Sequence, residues 1–203
     1  TMRWGMVIDL KRCIGCYGCQ LSCKAENGTP PGVFFARVHK QEEGQYPTAQ
    51  TTFLPVLCNH CDDPPCVDVC PTGASFVWED DGIVDIDADK CVGCRSCMMA
   101  CPYSQRFLND DPQNYYGDQG ATPYEQARVE RHQTGVVMKC NFCRDRVRNG
   151  QDPACVENCP TIARYFGDLD NPNSEVSRLI RERSGFPLHP EKGTNPNVYY
   201  LPA

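Results

Sequence analysis

The stretch CIGCYGCQLSC at residues 13–23 decides the fold, because it sets four cysteines in the spacing C-x2-C-x2-C-x3-C. Three thiolates separated by two residues each can wrap one corner of a cubane iron-sulfur cluster. The fourth cysteine, three residues further on, points away from that corner towards a neighbouring cluster. The spacing therefore predicts iron-sulfur clusters that are coupled in pairs.

Three further quartets use all the other cysteines of the 203-residue chain, which has 16. Proline follows the last cysteine of the second, third and fourth quartets and turns the chain away from the cluster, since it has a fixed φ and no backbone donor. In the first quartet Lys24 takes that place, which puts a cation beside a cluster. Four quartets predict four 4Fe-4S clusters. The quartets are Cys13, Cys16, Cys19 and Cys23; Cys58, Cys61, Cys66 and Cys70; Cys91, Cys94, Cys97 and Cys101; Cys140, Cys143, Cys155 and Cys159.

Disulfides and zinc are the alternative uses of these cysteines. Disulfides are disfavoured because the residues are bunched too closely along the chain to form a framework of bridges. Zinc is the stronger rival, since paired C-x2-C elements build tetrahedral sites and the fourth quartet alone resembles a zinc ribbon. The tight triplets at 13–19 and 91–97, and the Cys-Pro steps, favour iron-sulfur clusters over zinc.

Charged residues near the cysteines form a second pattern. Those that adjoin a quartet are partly surface charge and partly cations that help to set reduction potentials. His60 lies between Cys58 and Cys61, but a full quartet makes a histidine ligand unnecessary, so we expect it beside the cluster or at the surface. Besides Lys24, the cations are Lys11, Arg12, Lys90, Arg95, Lys139 and Arg144.

The composition predicts a protein that depends on its cofactor. Hydrophobic residues make up 40% of the chain, but without the cysteines roughly 32% remains for ordinary packing. Cluster binding would then supply folding free energy, and we expect the apo chain to be largely unfolded. The formal charge of −6 becomes about −14 with four clusters of charge −2, which excludes nucleic acid as a partner.

No stretch is apolar enough to span a bilayer, so we expect any membrane link to come through a partner. Residues 1–12 show no export-signal pattern, so we expect the chain to carry no export signal of its own. No catalytic triad, phosphate-binding glycine loop or dinucleotide fingerprint is present, which predicts a protein without a catalytic site of its own.

Short strands and helices are expected around the quartets. Residues 4–8 predict a strand and 16–26 a short helix; the same unit recurs as a strand over 82–87 and a helical turn over 97–100. Residues 75–79 and 83–87 flank Asp80-Asp81-Gly82 and predict a hairpin. After the last quartet, 174–183 predicts a helix and 198–201 a strand.

The polar segment between the third and fourth quartets has no cysteine and is too long for an ordinary turn. We expect a surface insertion, which serves either as a docking element for a partner, the preferred interpretation, or as a cap over the clusters.

The order and spacing of the four quartets resemble the four-cluster electron-transfer subunits of molybdopterin oxidoreductases. The resemblance covers essentially the whole chain. Within that family the chain is most similar to the polysulfide, thiosulfate, tetrathionate and arsenate reductase group. The segments that carry this similarity are MVID at 6–9, CNHCDDPPC at 58–66, CPTGA at 70–74, and the segment from GT at 193–194 to YY at 199–200.

The resemblance implies an α+β fold of two bacterial-ferredoxin-like modules with interleaved quartets. One module is 1–30 plus 138–170, the other is 50–103, and each binds two clusters; 104–137 is the insertion and 171–203 the C-terminal helix and tail. Some relatives replace a ligand with tryptophan, whereas every position here is cysteine, so we expect four cubanes. The implied ligand sets are Cys13, Cys16, Cys19 and Cys159; Cys23, Cys140, Cys143 and Cys155; Cys58, Cys61, Cys66 and Cys101; Cys70, Cys91, Cys94 and Cys97.

The resemblance also implies a function in anaerobic respiration. The first cluster would face a large molybdopterin catalytic subunit, and the fourth would face an integral membrane, quinone-reactive subunit or a soluble donor such as a cytochrome. The alternative is a free-standing polyferredoxin that serves several oxidoreductases. The resemblance favours a location in the periplasm or on the outer face of the cytoplasmic membrane, as a passenger exported with its partner, and a cytoplasmic complex is the alternative.

Overall fold

The computed structural model describes residues 2–110, 114–128 and 132–203. Its regular elements are short. The helices are α1 Gly18–Asn27, α2 Pro65–Asp68, α3 Ser96–Ala100, α4 Pro123–Arg128, α5 Arg144–Arg148, α6 Ala154–Glu157 and α7 Glu175–Glu182. The strands are β1 Trp4–Asp9, β2 Ala36–Glu43, β3 Gln50–Leu57, β4 Ser75–Val77, β5 Val84–Ile86, β6 Phe107–Leu108, β7 Val137–Met138, β8 Arg164–Asp168, β9 Phe186–Pro187 and β10 Val198–Leu201.

A four-stranded sheet in the order β8-β1-β10-β9 joins distant parts of the chain. β1 is antiparallel to β8, with Met6 opposite Phe166, and parallel to β10, with Met6 opposite Val198. Because Met6 and Ile8 are fully buried, one face of β1 forms the centre of the core. The strands predicted at 4–8 and 198–201 are confirmed, and β1 extends one residue further.

The C-terminal helix covers the opposite face of this sheet. Ser174 caps α7 by accepting a hydrogen bond from the backbone N–H of Ser177. Val176 on α7 packs with Val7 of β1 and Leu201 of β10 in a small second core. The helix predicted at 174–183 is therefore confirmed, and the segment after it returns to the sheet.

The elements predicted around the cysteines are also present. β4 and β5 form the predicted hairpin, with Ser75 opposite Ile86, and Gly82 in its turn has a φ of 71°. The backbone N–H of Ile83 donates to the side chain of Asp81, which steadies the turn. The helix predicted at 16–26 is α1, which begins at Gly18, and the helical turn at 97–100 is α3.

The longest hairpin of the molecule has no counterpart among the predicted elements. β2 and β3 pair antiparallel over eight residues each, with Ala36 opposite Leu57 and Glu43 opposite Gln50. Its base is buried, whereas the distal part is exposed and carries Tyr46 at the tip. The ring of Phe53 packs over Gly15, where an added Cβ would come within 2.2 Å of it. The hairpin therefore covers the loop of the first quartet.

The segment expected as a surface insertion over 104–137 is buried at both ends. Gln105, Arg106 and Asn109 are buried near its start, and β6 pairs with β7 so that Val137 is buried near its end. The expectation of a surface segment is wrong for these ends, because they line the cysteine-rich interior. The exposed part is confined to the described residues between them.

That exposed part rests on the C-terminal end of α1. The Tyr115 hydroxyl donates to the Thr29 carbonyl at 3.0 Å, and the Tyr124 hydroxyl donates to the carbonyl of Ala25. A ring nitrogen of His132 is 2.6 Å from the carbonyl oxygen of Asn27. These contacts seat the exposed part against the end of the helix that carries Cys19 and Cys23.

Over residues 2–110, 114–128 and 132–203, no helix is long and apolar enough to cross a membrane.

Candidate iron-sulfur centres

The two tight cysteine triplets have the same local backbone. Gly15 and Gly93, each in the sequence C-x-G-C, both have a φ near 66°. The residue just before each following helix, Tyr17 or Arg95, is also left-handed. A left-handed turn of this kind turns successive backbone N–H groups to one side, where they can meet sulfur or another anion. The internal repeat predicted from the sequence therefore extends to the backbone conformation.

Cysteines from different quartets line the same cavities. One cavity is bounded by Cys13, Cys16 and Cys19 together with Cys159, and a second by Cys58, Cys61 and Cys66 together with Cys101. In both cases the final cysteine of a distant quartet completes a set of four. No cysteine of the chain forms a disulfide, and all sixteen lie in the described residues.

The other cysteines group in the same way, as their electrostatic interactions show. Cys23 lies close enough to Cys155 and Cys143 for their charges to affect its pKa, and Cys140 is affected by Cys23. Cys70 affects the pKa of both Cys94 and Cys97. Each group again crosses from one quartet to another.

Within the described part of the chain, no three His, Cys, Asp or Glu side chains converge closely enough to hold a single metal ion.

Backbone N–H groups point at several of the sulfur atoms. The N–H of Ser75 donates to Cys70 Sγ at 3.3 Å, and that of Ala163 donates to Cys159 Sγ at 3.2 Å. The N–H of Phe142 reaches Cys140 Sγ at 3.4 Å. Hydrogen bonds to cluster sulfurs are one of the means by which a protein sets a reduction potential.

Burial divides the thiols into two classes. It raises the pKa of Cys61 to about 12 and that of Cys143 to about 11, and nearby thiolates add to both effects. Burial also acts on Cys70 and Cys159, but the backbone and threonine donors around them outweigh it and lower their pKa. Since thiolates are the ligands of iron, cluster binding must displace protons from the thiols whose pKa is raised, such as Cys61 and Cys143.

Two buried arginines lie among the cysteines, and sequence reasoning missed both. Arg106 Nη2 donates to Cys66 Sγ at 2.9 Å, and Arg164 Nη1 lies 3.6 Å from Cys155 Sγ. Each arginine follows the cysteine of a Cys-Pro step by five residues: Arg106 follows Cys101, and Arg164 follows Cys159. This shared offset is the signal that would have found them.

The cations that the sequence did single out fall into two groups. Lys139 and Arg144 are buried and Lys24 is half-buried, so they belong to the interior. Burial lowers the pKa of Lys24 to about 8, although the Cys23 thiolate opposes it. The exposed cations are surface charge: Lys11, Arg12, Lys90 and Arg95.

His60 is fully buried, so the expectation of a surface position is excluded and the position beside the cysteines holds. Its ring stacks on Phe142 with centroids 3.7 Å apart, and its Nδ1 accepts a hydrogen bond from the Val84 N–H at 3.2 Å. Burial, with Lys139 and Arg106 nearby, keeps its pKa well below the usual range. The neutral ring therefore carries its proton on Nε2.

Buried donors without an acceptor show whether these cavities fit an anionic cluster. Among the described residues, Nε2 of His60, Nε and Nη1 of Arg106, and Nη2 of Arg164 are buried and have no hydrogen-bond partner. An unsatisfied buried donor costs about 1–3 kcal/mol, more if it is charged. The thiolates and sulfides of 4Fe-4S clusters are acceptors of the kind these donors lack, so the residues fit the predicted cofactor.

Comparison with known proteins agrees with this geometry. The chain matches family models described as the 4Fe-4S dicluster domain over residues 12–74, 49–117 and 113–169. It is 41% identical to the arsenate respiratory reductase iron-sulfur subunit of Shewanella sp. strain ANA-3, over 98% of this chain and 96% of the relative. It is 43% identical to a tetrathionate reductase subunit of Salmonella typhimurium, over 98% of this chain and 72% of the relative.

A third relative is a sulfite dehydrogenase subunit of Allochromatium vinosum, which is 41% identical over 97% of this chain and 82% of the relative. The chain belongs to the iron-sulfur subunits of molybdopterin oxidoreductases. Proteins of this family transfer electrons and do not carry the catalytic centre of their complex. The predicted family, the electron-transfer function and the 4Fe-4S cofactor type are confirmed.

Proposed function

We propose that the chain carries single electrons through four 4Fe-4S clusters, between a molybdopterin catalytic subunit and a second redox partner. The observation that carries this proposal is the completion of each cysteine set by a residue from another quartet, as with Cys159 beside Cys13. Clusters whose ligands interleave in this way lie in adjacent pairs, which suits stepwise electron transfer.

Four ligand sets follow from these groupings. The two cavities support two of the sets, and the electrostatic neighbours of Cys23 and Cys94 support the other two. We refer to the proposed clusters as 1 to 4. Cluster 1 is held by Cys13, Cys16, Cys19 and Cys159; cluster 2 by Cys23, Cys140, Cys143 and Cys155; cluster 3 by Cys58, Cys61, Cys66 and Cys101; cluster 4 by Cys70, Cys91, Cys94 and Cys97.

Exposed apolar residues lie on the chain segments that carry the proposed ligands of clusters 1 and 4, which include the two most exposed cysteines. Cys16 and Cys94 are exposed, whereas Cys140 and Cys155 are buried. This arrangement supports electron entry at one outer cluster and exit at the other. Ile14, Leu21 and Ile162 form the first apolar patch, on the segments that carry cluster 1 ligands; Val69, Val92 and Met99 form the second, on the segments that carry cluster 4 ligands.

The first apolar patch would dock the catalytic subunit, and the second a quinone-reactive membrane subunit or a soluble cytochrome. The names of the relatives as subunits of respiratory reductases support a catalytic partner. Exposed apolar patches beside a functional centre are typical of interaction sites. We place the complex in the periplasm or on the outer face of the membrane, exported with the catalytic subunit after the clusters have been inserted.

Gentle anaerobic purification tests this function. We expect about 16 iron atoms and 16 acid-labile sulfides per chain, together with a large molybdopterin subunit that co-purifies. Stoichiometric zinc in a colourless sample would refute the cofactor assignment. A fully loaded chain that purifies alone, and reduces several oxidoreductases equally well, would instead identify a free-standing polyferredoxin.

Variants of the two apolar patches test which end of the series of clusters faces the catalytic subunit. Leu21→Glu should release the catalytic subunit, whereas Met99→Glu should retain it and block electron exchange with the second partner. Tyr46→Glu at the exposed hairpin tip is the control, because it adds the same charge at an exposed residue that belongs to neither patch. If Met99→Glu released the catalytic subunit, the proposed direction would be reversed.

Cell fractionation tests the location. The chain should leave the cytoplasm only when its catalytic partner is produced in the same cell. Export of the chain expressed by itself would contradict transport as a passenger.

A further inference from the structure

Three buried cations share a property that sets them apart from the other charged residues. In the described residues, Arg164, Lys139 and Arg106 form no salt bridge with a carboxylate, although each is at least 95% buried. A buried charge without a counter-ion is costly enough that proteins rarely keep one. All three interact electrostatically with cysteine thiolates.

Arg164 lies between the ligands of proposed clusters 1 and 2. Its guanidinium interacts electrostatically with Cys155 and Cys23 of the second set and with Cys19 of the first. A guanidinium cannot be deprotonated in a protein, so the side chain stays charged although it is buried. Its Nη2 has no hydrogen-bond partner among the described residues, which leaves a donor for a cluster sulfur.

Arg106 occupies the corresponding place between the ligands of proposed clusters 3 and 4. Its Nη2 donates to Cys66 Sγ at 2.9 Å, and the guanidinium also interacts with Cys58 of the same set and with Cys97 of the other. Its Nε and Nη1 are buried without a partner in the described part of the chain. Arg106 and Arg164 therefore repeat one device in two regions of the molecule.

Lys139 lies between the ligands of proposed clusters 2 and 3. It directly precedes Cys140 of the second set, and its charge also acts on Cys66 of the third. Its Nζ donates to the carbonyl groups of Val84 and Cys140, which hold the ammonium group in place. The junction between the two halves of the cluster chain therefore also contains a fixed positive charge.

Arg144 shows what a structural buried arginine looks like in the same molecule. Its Nε is 2.8 Å from Asp81 and its Nη2 is 2.8 Å from Asp80. Its guanidinium also stacks over Trp78, 3.7 Å from the ring centroid. Two carboxylates thus compensate its charge, whereas no carboxylate in the described residues compensates the charge of the other three.

We propose that Arg164, Lys139 and Arg106 are charge-compensating residues, one at each junction between successive clusters, which raise the reduction potentials of the clusters on either side. This inference rests on the proposed function, since it takes the four ligand sets as given. A 4Fe-4S cluster with four thiolates carries a charge of about −2, and reduction adds one more negative charge in a medium of low dielectric constant. A fixed cation at the junction favours the reduced form of both neighbours.

Redox-titrated EPR of the intact complex tests the proposal. Arg164→Gln should disfavour reduction of clusters 1 and 2 by at least tenfold, which is 59 mV for a one-electron couple, and leave cluster 4 unchanged. Arg106→Gln should act in the same way on clusters 3 and 4 and leave cluster 1 unchanged. Arg→Lys at either site keeps the charge and should recover most of the shift.

Lys90→Gln is the matched control for proximity in sequence. Lys90 precedes Cys91 directly, as Lys139 precedes Cys140, but its side chain is 62% exposed and pairs with Asp87. Solvent screens such a charge. The equilibrium constant for reduction of cluster 4 should therefore change by less than a factor of two. Lys139→Gln should lower the potentials of clusters 2 and 3.

Iron content separates failure of this inference from failure of the proposed function. A wild-type chain without about 16 iron atoms would refute the proposed function itself. Full iron content with unchanged potentials in the Gln variants, or equal shifts in the Gln and Lys variants, would overturn the inference. If a Gln variant fails to assemble, full assembly of the Lys variant supports charge compensation, and failure of both shows a packing role only.

Discussion

The proposed discontinuous module, residues 1–30 with 138–170, differs from the proposed contiguous module, residues 50–103, in the strands that bring its cysteines together; we call them the discontinuous and contiguous halves. Both halves pair two helices, α1 with α6 and α2 with α3. The contiguous half needs only the three-residue strands β4 and β5. The discontinuous half uses five register pairs between β1 and β8, with β10 on the other side of β1.

Chain entropy accounts for this difference. Bringing Cys13 close to Cys159 closes a far longer loop than bringing Cys58 close to Cys101, and the entropic cost of closure grows with loop length. Each doubling costs only about 0.6 kcal/mol, but the long closure also has no local hairpin to direct it. The larger sheet supplies that direction through buried pairing of β1. The same grouping of four cysteines thus needs a larger sheet when the cysteines are far apart in sequence.

Removal of iron should have the largest effect and should abolish the difference between the halves. The apolar core is thin and ligand thiols are common to both halves, so an anaerobic chelator should unfold most of the chain. Far-UV circular dichroism should lose most of its native signal together with the visible absorbance. A native spectrum in the iron-free protein would show that the sheet of the discontinuous half is stable without its clusters.

Cysteine substitutions should sharpen the comparison by showing, in each half, that one cluster takes its ligands from two quartets. Cys13→Ser and Cys159→Ser should alter one common EPR signal, and Cys23→Ser should resemble Cys140→Ser. In the contiguous half, Cys58→Ser should match Cys101→Ser. Redox-titrated EPR decides between this pattern and its rival. If Cys13→Ser and Cys23→Ser alter one signal and leave the Cys140 centre untouched, each quartet closes its own cluster.

A methyl group on the central strand should weaken the discontinuous half selectively. The Cβ of Gly5→Ala would lie 2.3 Å from Leu169 Cδ1 and 2.8 Å from the Asn197 carbonyl oxygen. Overpacking of this kind costs about 1–3 kcal/mol, and we expect the upper part of that range. Thermal unfolding should show a Tm lower by about 6–12 °C.

Gly73→Ala in the contiguous half is the control for that substitution. Gly73 has a φ of 65° and no atom within 4 Å of an added Cβ, so only backbone strain of about 1–2 kcal/mol is expected. A larger loss of Tm for Gly73→Ala than for Gly5→Ala would contradict the importance assigned to the sheet.

The smallest effect is expected at the end of β1. Arg183 donates to the buried carboxylate of Asp9. Burial raises the pKa of Asp9, but Arg183 outweighs it and lowers the pKa below the ordinary value of 3.8. Asp9→Asn should lower the free energy of unfolding by about 1–2 kcal/mol. Thermal unfolding measures this as a reduced Tm.

The pH dependence of that difference follows from the sign of the pKa shift. A carboxyl group with a lowered folded pKa stabilises the protein fully above its unfolded pKa, and the contribution is lost as pH falls through the folded value. The gap in Tm between wild type and Asp9→Asn should therefore be constant between pH 5 and 7. A gap that changes across that interval would assign the contribution to another group.

Local sequence signals predicted the four cysteine quartets and most of the small elements. The hairpin at Gly82 and the helix over 174–183 depend on residues close in sequence, which is why they could be predicted. The pairing of β1 with β8 could not, since register between distant strands depends on tertiary packing. The β2–β3 hairpin was missed because the largely polar and charged sequence of β2 lacks a clear alternation of apolar and polar residues.

The two buried arginines were missed because charged residues are generally expected at the surface. Arginine and lysine are almost never fully buried unless they are paired, so Arg106 and Arg164 resemble surface residues in the sequence. They can be buried beside cysteine because the proposed cofactor brings its own negative charge. A cofactor can thus invert the burial preference of the residues around it, and composition alone does not reveal this.

The parallel pairing of β10 with β1 has a consequence for biosynthesis. Translation produces β1 before the first quartet and β10 only after all four, so β1 waits for its inner neighbour until the ribosome has passed every cysteine codon. The ligands from Cys58 to Cys101 emerge together and can be loaded while translation continues. Those of the proposed discontinuous module are complete only after synthesis of Cys159, so iron delivery to this module must finish later than that, and a product truncated before β10 would never complete the sheet.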